Sequence, residues 1–291
     1  MTSPASNADQ LGALPSHAEL TALADQTLAE YIRYLTAYGG QLHERDGLLL
    51  FAGAHRQPNP YRNGVLRIDD TLAPEEVFSR AERFFTMQRR SYAIWTREHG
   101  DAELERACVA AGYRELERLP EMSLAAPPEY LPPPDGVEIR PAADSQTRED
   151  YLRLVANAWG MTDLPREVAA QLFFDPDSLT VPNVAAYVAY YDGAAISAAM
   201  THISHGIALG CQAATIRRPA RGQRLPSSPV PGESRGLAQS CLWAALDRSF
   251  SELGAEFSLC QTSGLGQQAW MDLGYEPFSS YGRYLVPSPV L

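Results

Sequence analysis

The stretch IALGCQAATIRRPARGQRLPSSPVPGESRGLAQSCLWAALDRSFSELG, residues 207–254, combines three patterns that decide the fold. Residues 206–216 are mostly apolar and free of proline, which predicts a buried strand. Arginines, glycines and prolines then follow as far as Gly236. From Leu237 apolar residues repeat at helical spacing, and Gly254 can end the helix. The predicted order is therefore a strand, a loop bearing glycine and arginine, and a helix.

The loop concentrates positive charge in a strongly acidic protein. It carries five arginines: Arg217, Arg218, Arg221, Arg224 and Arg235. Glycine lets the backbone approach an anion without a clashing Cβ, and arginine adds charge-assisted hydrogen bonds. The following helix contributes unpaired N–H groups and the positive end of its dipole. The pattern predicts a phosphate site, with a solvated surface turn as the alternative.

A second strand and a short helix follow. Residues 256–261 are predicted as a strand, and residues 267–273 as a brief helix closed by Leu273-Gly274-Tyr275. This order resembles the GNAT superfamily of N-acetyltransferases, in which a loop of pattern Arg/Gln-x-x-Gly-x-Gly/Ala opens a long helix. The resemblance covers residues 137–284. It implies acyl-coenzyme A binding, with the pyrophosphate on the loop and the pantetheine in a splay between the two strands.

Two registers align the loop with the family pattern. In the first, Arg221-Gly222-Gln223 begins the pattern and Gly236-Leu237-Ala238 finishes it, so residues 224–235 are an insertion. In the second, residues 233–238 match without an insertion, but the carboxylate of Glu233 would repel the pyrophosphate. We prefer the insertion, whose proline, serine and glycine content favours an irregular loop.

Acetyl transfer from a thioester to an amine needs a neutral amine, a polarised carbonyl and a leaving thiolate. By resemblance, backbone N–H groups near residues 212–214 polarise the carbonyl, and Ala213, Ala214 and Thr215 bind the cofactor together with both ends of the loop. His202 and His205 are candidates for the base, because histidine titrates near neutrality. Carboxylate candidates are Asp163 and Glu167.

The proton donor departs from the family pattern. Many members carry a Tyr on the short last helix, where its hydroxyl can protonate the thiolate, but this sequence has Trp270. An indole cannot act as an acid near neutral pH. Tyr275, Tyr281, Ser263 or water could serve instead, or the domain binds an acyl-CoA without turning it over.

Length and charge exclude several classes. The 291 residues suggest two domains, and a net charge of −11 disfavours nucleic acid as a partner. The sequence shows neither an apolar run of membrane-spanning length nor a signal peptide, so we expect a cytoplasmic protein without a membrane partner. The cysteines are far apart and lack metal spacing: Cys108, Cys211, Cys241 and Cys260. We expect buried free thiols and no metal.

The N-terminal half begins after a frayed tail of residues 1–15. Its predicted elements are a helix at 17–38, strands at 47–54 and 64–68, a helix at 74–87, a strand at 91–95, a helix at 101–111 and a strand at 114–124. The closing order of strand, helix, Gly-Tyr and strand occurs twice, at Gly112-Tyr113 and at Gly274-Tyr275. We interpret the chain as a tandem. Asp69 and Asp70 stand where a phosphate loop would be, so this half is predicted to be a scaffold without CoA.

The C-terminal half follows a linker, residues 125–136, with five prolines in twelve residues. Its further predicted elements are strands at 137–140, 185–191 and 194–203 and helices at 150–158 and 162–174. Asp192-Gly193 predicts a tight hairpin. Alternation puts Tyr187 and Tyr191 on one face of their strand and Tyr190 on the other, which favours sheet packing over substrate stacking.

The expected fold class is α/β (α+β), with two GNAT-like halves, residues 16–124 and 137–291, each a mixed, mostly antiparallel sheet flanked by helices. The expected function is an acyl-CoA-dependent N-acyltransferase that moves acetyl from acetyl-CoA to a primary amine of a small molecule by direct attack. The alternatives are a non-catalytic acyl-CoA-binding or regulatory protein and a structural partner subunit. The acidic surface would attract a cationic acceptor by long-range electrostatics, which does not identify that acceptor. The sequence does not predict the oligomeric state.

Overall fold

The structure is a computed structural model that describes residues 14–38, 40–53, 62–158, 175–215, 236–264 and 266–287. The strands are β1 Gln41–Arg45, β2 Leu48–Ala52, β3 Asn63–Arg67, β4 Tyr92–Arg97, β5 Arg114–Leu124, β6 Val137–Pro141, β7 Val184–Tyr191, β8 Ala194–Ser204, β9 Ile207–Thr215, β10 Phe257–Gln261 and β11 Glu276–Val286. The α-helices are α1 His17–Ala37, α2 Pro74–Gln88, α3 Ala102–Ala110, α4 Ser145–Ala158, α5 Leu237–Ser251 and α6 Gln267–Met271. A 3-10 helix spans Pro176–Thr180.

The strands form one sheet in the order β1-β2-β3-β4-β11-β5-β10-β9-β8-β7-β6. Two neighbouring pairs in it are parallel, β3 with β4 and β9 with β10, and the others are antiparallel. The prediction of a mixed, mostly antiparallel sheet flanked by helices is confirmed. The separate sheet expected for each half is not observed, because the strands of both halves join edge to edge.

The two halves exchange their closing strands. β5, which ends the N-terminal half, pairs with β10 from Ser258↔Leu124 to Gln261↔Glu121. β11, which ends the C-terminal half, lies between β5 and β4 and pairs with β4 from Tyr281↔Arg97 onward. Each half therefore completes its sheet with a strand from the other, and side chains of β5 lie beside the C-terminal half's own strands.

Helices cover both faces of the sheet. On one face, α1 packs Leu28 and Ile32 over β2 to β4, β5 and β11, and Tyr34 against a cluster that includes Tyr151 of α4. On the other face lie α2, α3, α5 and α6. α1 begins where the Glu19 carboxylate accepts hydrogen bonds from the backbone N–H and hydroxyl of Ser16. A helix of the N-terminal half thus covers strands of both halves.

Several predicted boundaries agree with the structure and others differ. β5 and the hairpin between β7 and β8 lie where they were predicted, and Asp192 and Gly193 have the positive φ angles, 50° and 74°, of a tight turn. α4 begins at Ser145 rather than at residue 150, because Asp144 Oδ1 accepts from the N–H of Thr147 at 2.8 Å and caps the helix earlier. The predicted helix at 162–174 lies outside the described residues.

The linker keeps an extended path across α5. Trp243 Nε1 donates to the carbonyl oxygen of Pro128 at 3.3 Å, and the ring of Tyr130 meets the indole edge-on at 4.8 Å. Within the described parts of the chain, no helix is long and apolar enough to span a membrane. Nor do those parts bring together three side chains of His, Cys, Asp or Glu as a metal-binding group. The four cysteines are buried and free, as predicted.

Candidate functional site

The parallel pair β9 and β10 separates in the middle of the sheet. The strands pair from Phe257↔Ile207 to Cys260↔Gly210, and after that point β9 continues to Thr215 while Gln261 pairs with β5 on its other side. The second half of β9 keeps its ladder with β8. Among the described residues, no strand pairs with its edge toward β10 beyond Gly210.

A β-bulge begins at the point of separation. Ala199 pairs with Ala213 and Met200 with Cys211, so Gln212 is an extra residue in β9, and its φ of 62° lies in the left-handed region. The bulge redirects the backbone of the residues that follow it. Strained conformations of this kind persist only where the surroundings hold them, and they concentrate at functional sites.

Tyrosines from the two helices on this face hold the bulge. Tyr151 of α4 donates its hydroxyl hydrogen to Gln212 Oε1 at 3.2 Å, and Gln212 Nε2 donates to the hydroxyl oxygen of Tyr31 of α1 at 2.9 Å. Both the oxygen and the nitrogen of the side-chain amide are thereby hydrogen-bonded. Burial raises the pKa of both tyrosines well above the usual value, so they stay neutral hydrogen-bonding groups.

The predicted cofactor residues of β9 lie just beyond the bulge. The carbonyl oxygen of Ala214 accepts from Ser197 Oγ at 2.8 Å, and Thr215 Oγ1 shares a 2.9 Å hydrogen bond with the same hydroxyl. These contacts fix the strand from the β8 side. The structure thus places Ala213, Ala214 and Thr215 along the separated edge of β9.

The helix that follows, α5, begins as predicted. Gly236 precedes it with a φ of 99°, a conformation in which a side chain would be strained. Leu237 is buried in the core, and Ser240 Oγ donates to the carbonyl oxygen of Gly236 at 2.7 Å. The start of the predicted loop, Arg221-Gly222-Gln223, lies outside the described residues, so only its end at Gly236, Leu237 and Ala238 is seen.

Trp270 of α6 lies on the opposite face at the same point. It is 4% exposed, and a Cβ built on Gly210 would lie 2.6 Å from its Cζ3. The indole therefore packs directly on the backbone of β9, where the last pair with β10 forms. Its ring also meets Tyr275 edge-on at 5.0 Å.

Neither alternative tyrosine has a free hydroxyl at this point. The hydroxyl of Tyr275 shares a 2.6 Å hydrogen bond with Ser258 Oγ, and the hydroxyl of Tyr281 donates to Asp25 Oδ1 at 2.6 Å. Burial raises the pKa of both phenols well above the usual value. This geometry favours structural roles for them over proton donation to a thiolate. Ser263 lies in the turn before α6, where its carbonyl oxygen accepts from the N–H of Gly266.

The two histidines lie in different environments. His202 of β8 is 3% exposed and stacks on Tyr34 with the ring centroids 4.6 Å apart. Asn183 Nδ2 donates to its Nε2 at 3.1 Å and also to the Ile203 carbonyl, so Nε2 is the unprotonated nitrogen. Burial lowers its pKa to about 4. His202 is therefore neutral at pH 7, and its basic nitrogen is already occupied.

His205 lies in the turn between β8 and β9, at the end of that hairpin away from the bulge. Its side chain is half-exposed, with Nε2 3.9 Å from a Glu30 oxygen. The structure therefore separates it from the open edge of β9. The carboxylate candidates Asp163 and Glu167 lie outside the described residues.

The tyrosines of β7 alternate as predicted. Tyr187 and Tyr191 pack toward α5, while Tyr190 joins the α4 side, where its hydroxyl donates to Asp150 Oδ2 at 3.0 Å. The Arg140 guanidinium lies 4.6 Å above the Tyr190 ring. These contacts support sheet packing.

The equivalent parallel pair of the N-terminal half is filled by an ion-pair cluster. Beyond the last pair of β3 and β4, Arg67 Nε and Arg97 Nε each donate to one oxygen of the buried Asp101 at 2.8 Å. Arg67 also donates to the Leu72 carbonyl, and Arg97 to Asp70. Burial raises the pKa of Asp101, but its bonds to Arg97 outweigh this and hold it below the usual value. The chain's own groups thus occupy this position, which supports the interpretation of a scaffold.

Sequence reasoning missed Glu121. It lies on β5, fully buried, and is the register partner of Gln261 at the end of β10. Neither carboxylate oxygen accepts a hydrogen bond within the described residues. Burial raises the pKa of Glu121 well above the usual value, although the nearby Gln261 amide acts to lower it. The signal was a carboxylate at an inward position between Leu119 and Ser123, but the residue was assigned to the other half.

Comparison with known proteins identifies the fold. No protein-family model matches the sequence, and no curated protein matches it. Among solved structures, a GCN5-related N-acetyltransferase from Kribbella flavida is 16% identical at a TM-score of 0.63, covering 96% of this chain and 98% of that one. A tandem GNAT protein from the clavulanic acid biosynthesis pathway, solved without AcCoA, is 12% identical at a TM-score of 0.58, covering 92% and 96%.

A third structure, a GCN5-related N-acetyltransferase from Sphaerobacter thermophilus, is 12% identical at a TM-score of 0.57, covering 94% of this chain and 93% of that one. The chain therefore has the GNAT fold. The resemblance inferred for residues 137–284 is confirmed at the level of the fold, and the similarity in fold extends over nearly the whole chain, including the N-terminal half.

Proposed function

We propose that the protein is an acyl-CoA-dependent N-acyltransferase that transfers an acetyl group from acetyl-CoA to a primary amine of a small molecule. The observation that carries this proposal is the separation of β9 from β10 at Gly210 and Cys260, with the bulge at Gln212. A GNAT fold shows an acetyltransferase-type scaffold, and this opening supplies the place where a thioester can lie against it.

The separated edge of β9 fits the pantetheine and the thioester. Backbone groups along residues 213–215 point alternately to β8 and to the side from which β10 has withdrawn, so the N–H donors on that second side can bond the pantetheine and polarise the thioester carbonyl. The two tyrosine contacts to Gln212 hold this edge in place before a ligand arrives. Such preorganisation lowers the reorganisation that accompanies reaction.

The start of α5 fits the pyrophosphate. Backbone N–H groups of the first helical turn have no partners within the helix, and the helix dipole favours negative charge there. The N-cap residue is Gly236, so no N-cap side chain bonds these N–H groups. Acetyl-CoA would supply the activated acyl group, and the chain would supply its orientation.

The leaving thiolate has no tyrosine donor at the place where the family resemblance expected one. Trp270 fills that place as a packed core residue. Water is therefore the proposed proton source for the thiolate. The same observation favours a second candidate function, a non-catalytic acyl-CoA-binding or regulatory protein, because a chain that only binds acyl-CoA needs no acid.

Thermal unfolding with and without acetyl-CoA tests binding. At a ligand concentration of about 100 times Kd, binding adds about 2.7 kcal/mol to the free energy of unfolding, which shifts Tm by several degrees. An unchanged Tm at millimolar acetyl-CoA would contradict both candidate functions.

A matched pair of variants locates the site. Ala238 lies in the first turn of α5 and Ala244 lies further along the same helix, and both are half-buried. Ala238→Glu should raise the Kd for acetyl-CoA about tenfold or more, because a like charge near a bound pyrophosphate would cost on the order of 1–3 kcal/mol. Ala244→Glu should leave the Kd within about twofold.

Release of CoA thiol separates the two candidate functions. With a library of primary amines, the enzyme releases thiol at a rate that depends on one or more of the amines. The binding protein shows the same Tm shift but releases thiol no faster than acetyl-CoA alone in buffer.

A further inference from the structure

Glu121 lies in a row of side chains beside the opening between β9 and β10. Its register partners are Gln261 on β10 and Ser279 on β11, and directly paired residues point to the same face of a sheet. Gln261 is the residue immediately after Cys260, the last residue of β10 that pairs with β9. Glu121 is thus one strand, about 5 Å, from β10, which borders the opening, and two strands, about 10 Å, from β9.

The row faces α1. Leu119, two residues before Glu121, packs with Leu28 and Ile32 of that helix. Tyr281, two residues after Ser279, donates its hydroxyl hydrogen to Asp25 of α1. Because the period of a strand is two residues, Glu121 and Ser279 project to the same side as Leu119 and Tyr281. Glu121 therefore comes from the N-terminal half, but its side chain lies on the α1 face of the sheet, level with the end of β10 where the C-terminal half's opening begins.

The carboxylate of Glu121 is unusual for a buried group. Its residue is 0% exposed, and neither oxygen makes a formed hydrogen bond within the described residues. The Gln261 amide beside it also keeps an unbonded nitrogen within those residues. Buried carboxylates are ordinarily paired or hydrogen-bonded. The Glu121 carboxylate and the Gln261 amide lie next to an opening, and their unbonded atoms can therefore form hydrogen bonds with a ligand.

Three titratable groups interact electrostatically with Glu121, and each of them is acidic or neutral. Asp25 faces it from α1, Tyr281 from β11, and Cys260 lies next to Gln261 on β10. Asp25 is fixed by the Tyr281 hydroxyl at 2.6 Å, by Arg97 at 3.0 Å and by His99 Nε2 at 3.2 Å. The nearby carboxylate of Asp25 adds to the effect of burial in raising the pKa of Glu121. An arriving cation would relieve both effects.

We infer that Glu121 is the catalytic base and binds the amino group of a primary ammonium acceptor, so that the acceptor site is shared between the two halves. This inference rests on the proposed function. The carboxylate takes one proton from R–NH3+, and the neutral amine attacks the thioester carbonyl, forming a C–N bond. The C–S bond breaks, the thiolate leaves with its electron pair, and it takes a proton from water, which in turn takes the second proton lost by the nitrogen. The proton on Glu121 returns to solvent, so the sum is RNH3+ plus thioester to amide, thiol and H+.

The test compares wild type with Glu121→Gln, which keeps the shape and removes the charge. Ser123→Ala is the matched control, because Ser123 is buried on the same strand and face but lies two pairs further from the opening, opposite Leu259. Three measurements are made on the full chain: Tm with acetyl-CoA, binding of n-butylammonium to the CoA complex with 1-pentanol as the neutral probe, and amine-dependent thiol release as a function of pH.

The expected results distinguish a role of Glu121 as the catalytic base from a role in folding. Glu121→Gln should keep the acetyl-CoA shift in Tm, bind n-butylammonium at least tenfold more weakly, and lower kcat about 100-fold or more with the acidic limb of the pH profile removed. Wild type should prefer n-butylammonium over 1-pentanol, and Ser123→Ala should behave like wild type.

Each contrary result has a distinct meaning. If acetyl-CoA stabilises wild type but n-butylammonium does not bind its CoA complex, or if Glu121→Gln keeps the wild-type kcat and pH profile, the assignment of Glu121 is overturned and the proposed function stands. If acetyl-CoA does not stabilise any variant, the proposed function fails, and the reaction assigned to Glu121 fails with it. Loss of the acetyl-CoA shift in Glu121→Gln alone would also overturn the inference, since the residue would then hold the cofactor or the fold.

Discussion

The indole of Trp270 lies directly on the backbone of Gly210, so closely that a Cβ at this glycine would be 2.6 Å from Cζ3 of the ring. Gly210 makes the last pair with β10, and the strands separate immediately after it. The indole ring can therefore pack here only because residue 210 has no side chain. The contact between Trp270 and Gly210 lies at the place where the opening begins.

Gly210→Ala should destabilise the protein by about 1–3 kcal/mol, because overpacking a tight contact forces side chains or backbone to move. The measurement is urea unfolding. Gly264→Ala is the control, since nothing lies within 4 Å of a Cβ at that position. In the Gly210→Ala background, Trp270→Phe removes the outer ring atoms that clash, and the double variant should cost less than the sum of the two single changes. Strict additivity would show that the contact is not tight.

The pKa of Glu121, raised by burial, makes stability depend on pH. The folded protein keeps the proton at pH values where the unfolded chain has lost it, so the contribution of this group to stability falls as pH rises above the ordinary glutamate pKa. Glu121→Gln cannot ionise. Its stability relative to wild type should rise with pH through that window and be constant below it. Urea unfolding at several pH values measures the difference, and a pH-independent difference would contradict the assignment of this shift.

His202 gives a pH dependence of opposite sign. Its pKa is lowered by burial to about 4, so between the ordinary value near 6.5 and about 4 the unfolded state binds the proton and the folded state does not. Acidification through that window should cost wild type up to about 3 kcal/mol from this residue. His202→Gln keeps an acceptor for Asn183 and should lose this part of the acid sensitivity. Equal slopes for the variant and wild type would argue against a neutral buried imidazole.

The ion-pair cluster of the N-terminal half should be essential for folding. Asp101→Asn leaves Arg67 and Arg97 without a full counter-charge in a buried place, which should cost about 3–5 kcal/mol. Asp70→Asn is the control, because the Asp70 side chain is 67% exposed and its ion pair with Arg97 contributes about 1 kcal/mol or less. Denaturation midpoints measure both. Similar losses for the two variants would contradict the special role of the buried carboxylate.

Helices and strands were predicted well where the pattern of apolar side chains matches a buried face. Helix α5 and strand β10 carry a strong apolar pattern, and both lie where the pattern placed them. Strand β1 was missed because Gln41–Arg45 is exposed along its whole length and has no buried face to create an alternation. Helix α4 was started too late because the cap at Asp144 lies in a polar segment without periodicity.

The exchange of β5 and β11 could not be predicted from local patterns. The alternation of apolar and polar residues in β5 or β11 is compatible with pairing in either half. The choice of partner strand depends on contacts between residues far apart in the chain. This is why Glu121 was assigned to the scaffold, although the structure places it beside Gln261. Likewise, His202 and His205 were chosen because imidazole titrates near neutral pH. The burial of His202 and the position of His205 in a turn away from the bulge are visible only in the folded structure.

The bulge at Gln212 gives the last prediction. Tyr151 donates to Gln212 Oε1 at 3.2 Å, and this contact helps to hold a residue whose φ of 62° is unfavourable without support. Tyr151→Phe removes one hydrogen bond, worth about 0.5–1.5 kcal/mol, and leaves the ring in the core. Because the open edge of β9 follows the bulge, the loss should appear as a rise of about two- to tenfold in the Kd for acetyl-CoA, measured by calorimetry. Tyr190→Phe is the control, since Tyr190 lies on β7, two strands from β9, and its hydroxyl bonds Asp150 instead of Gln212. A Kd that changes equally in both variants would mean that the bulge does not position the cofactor edge.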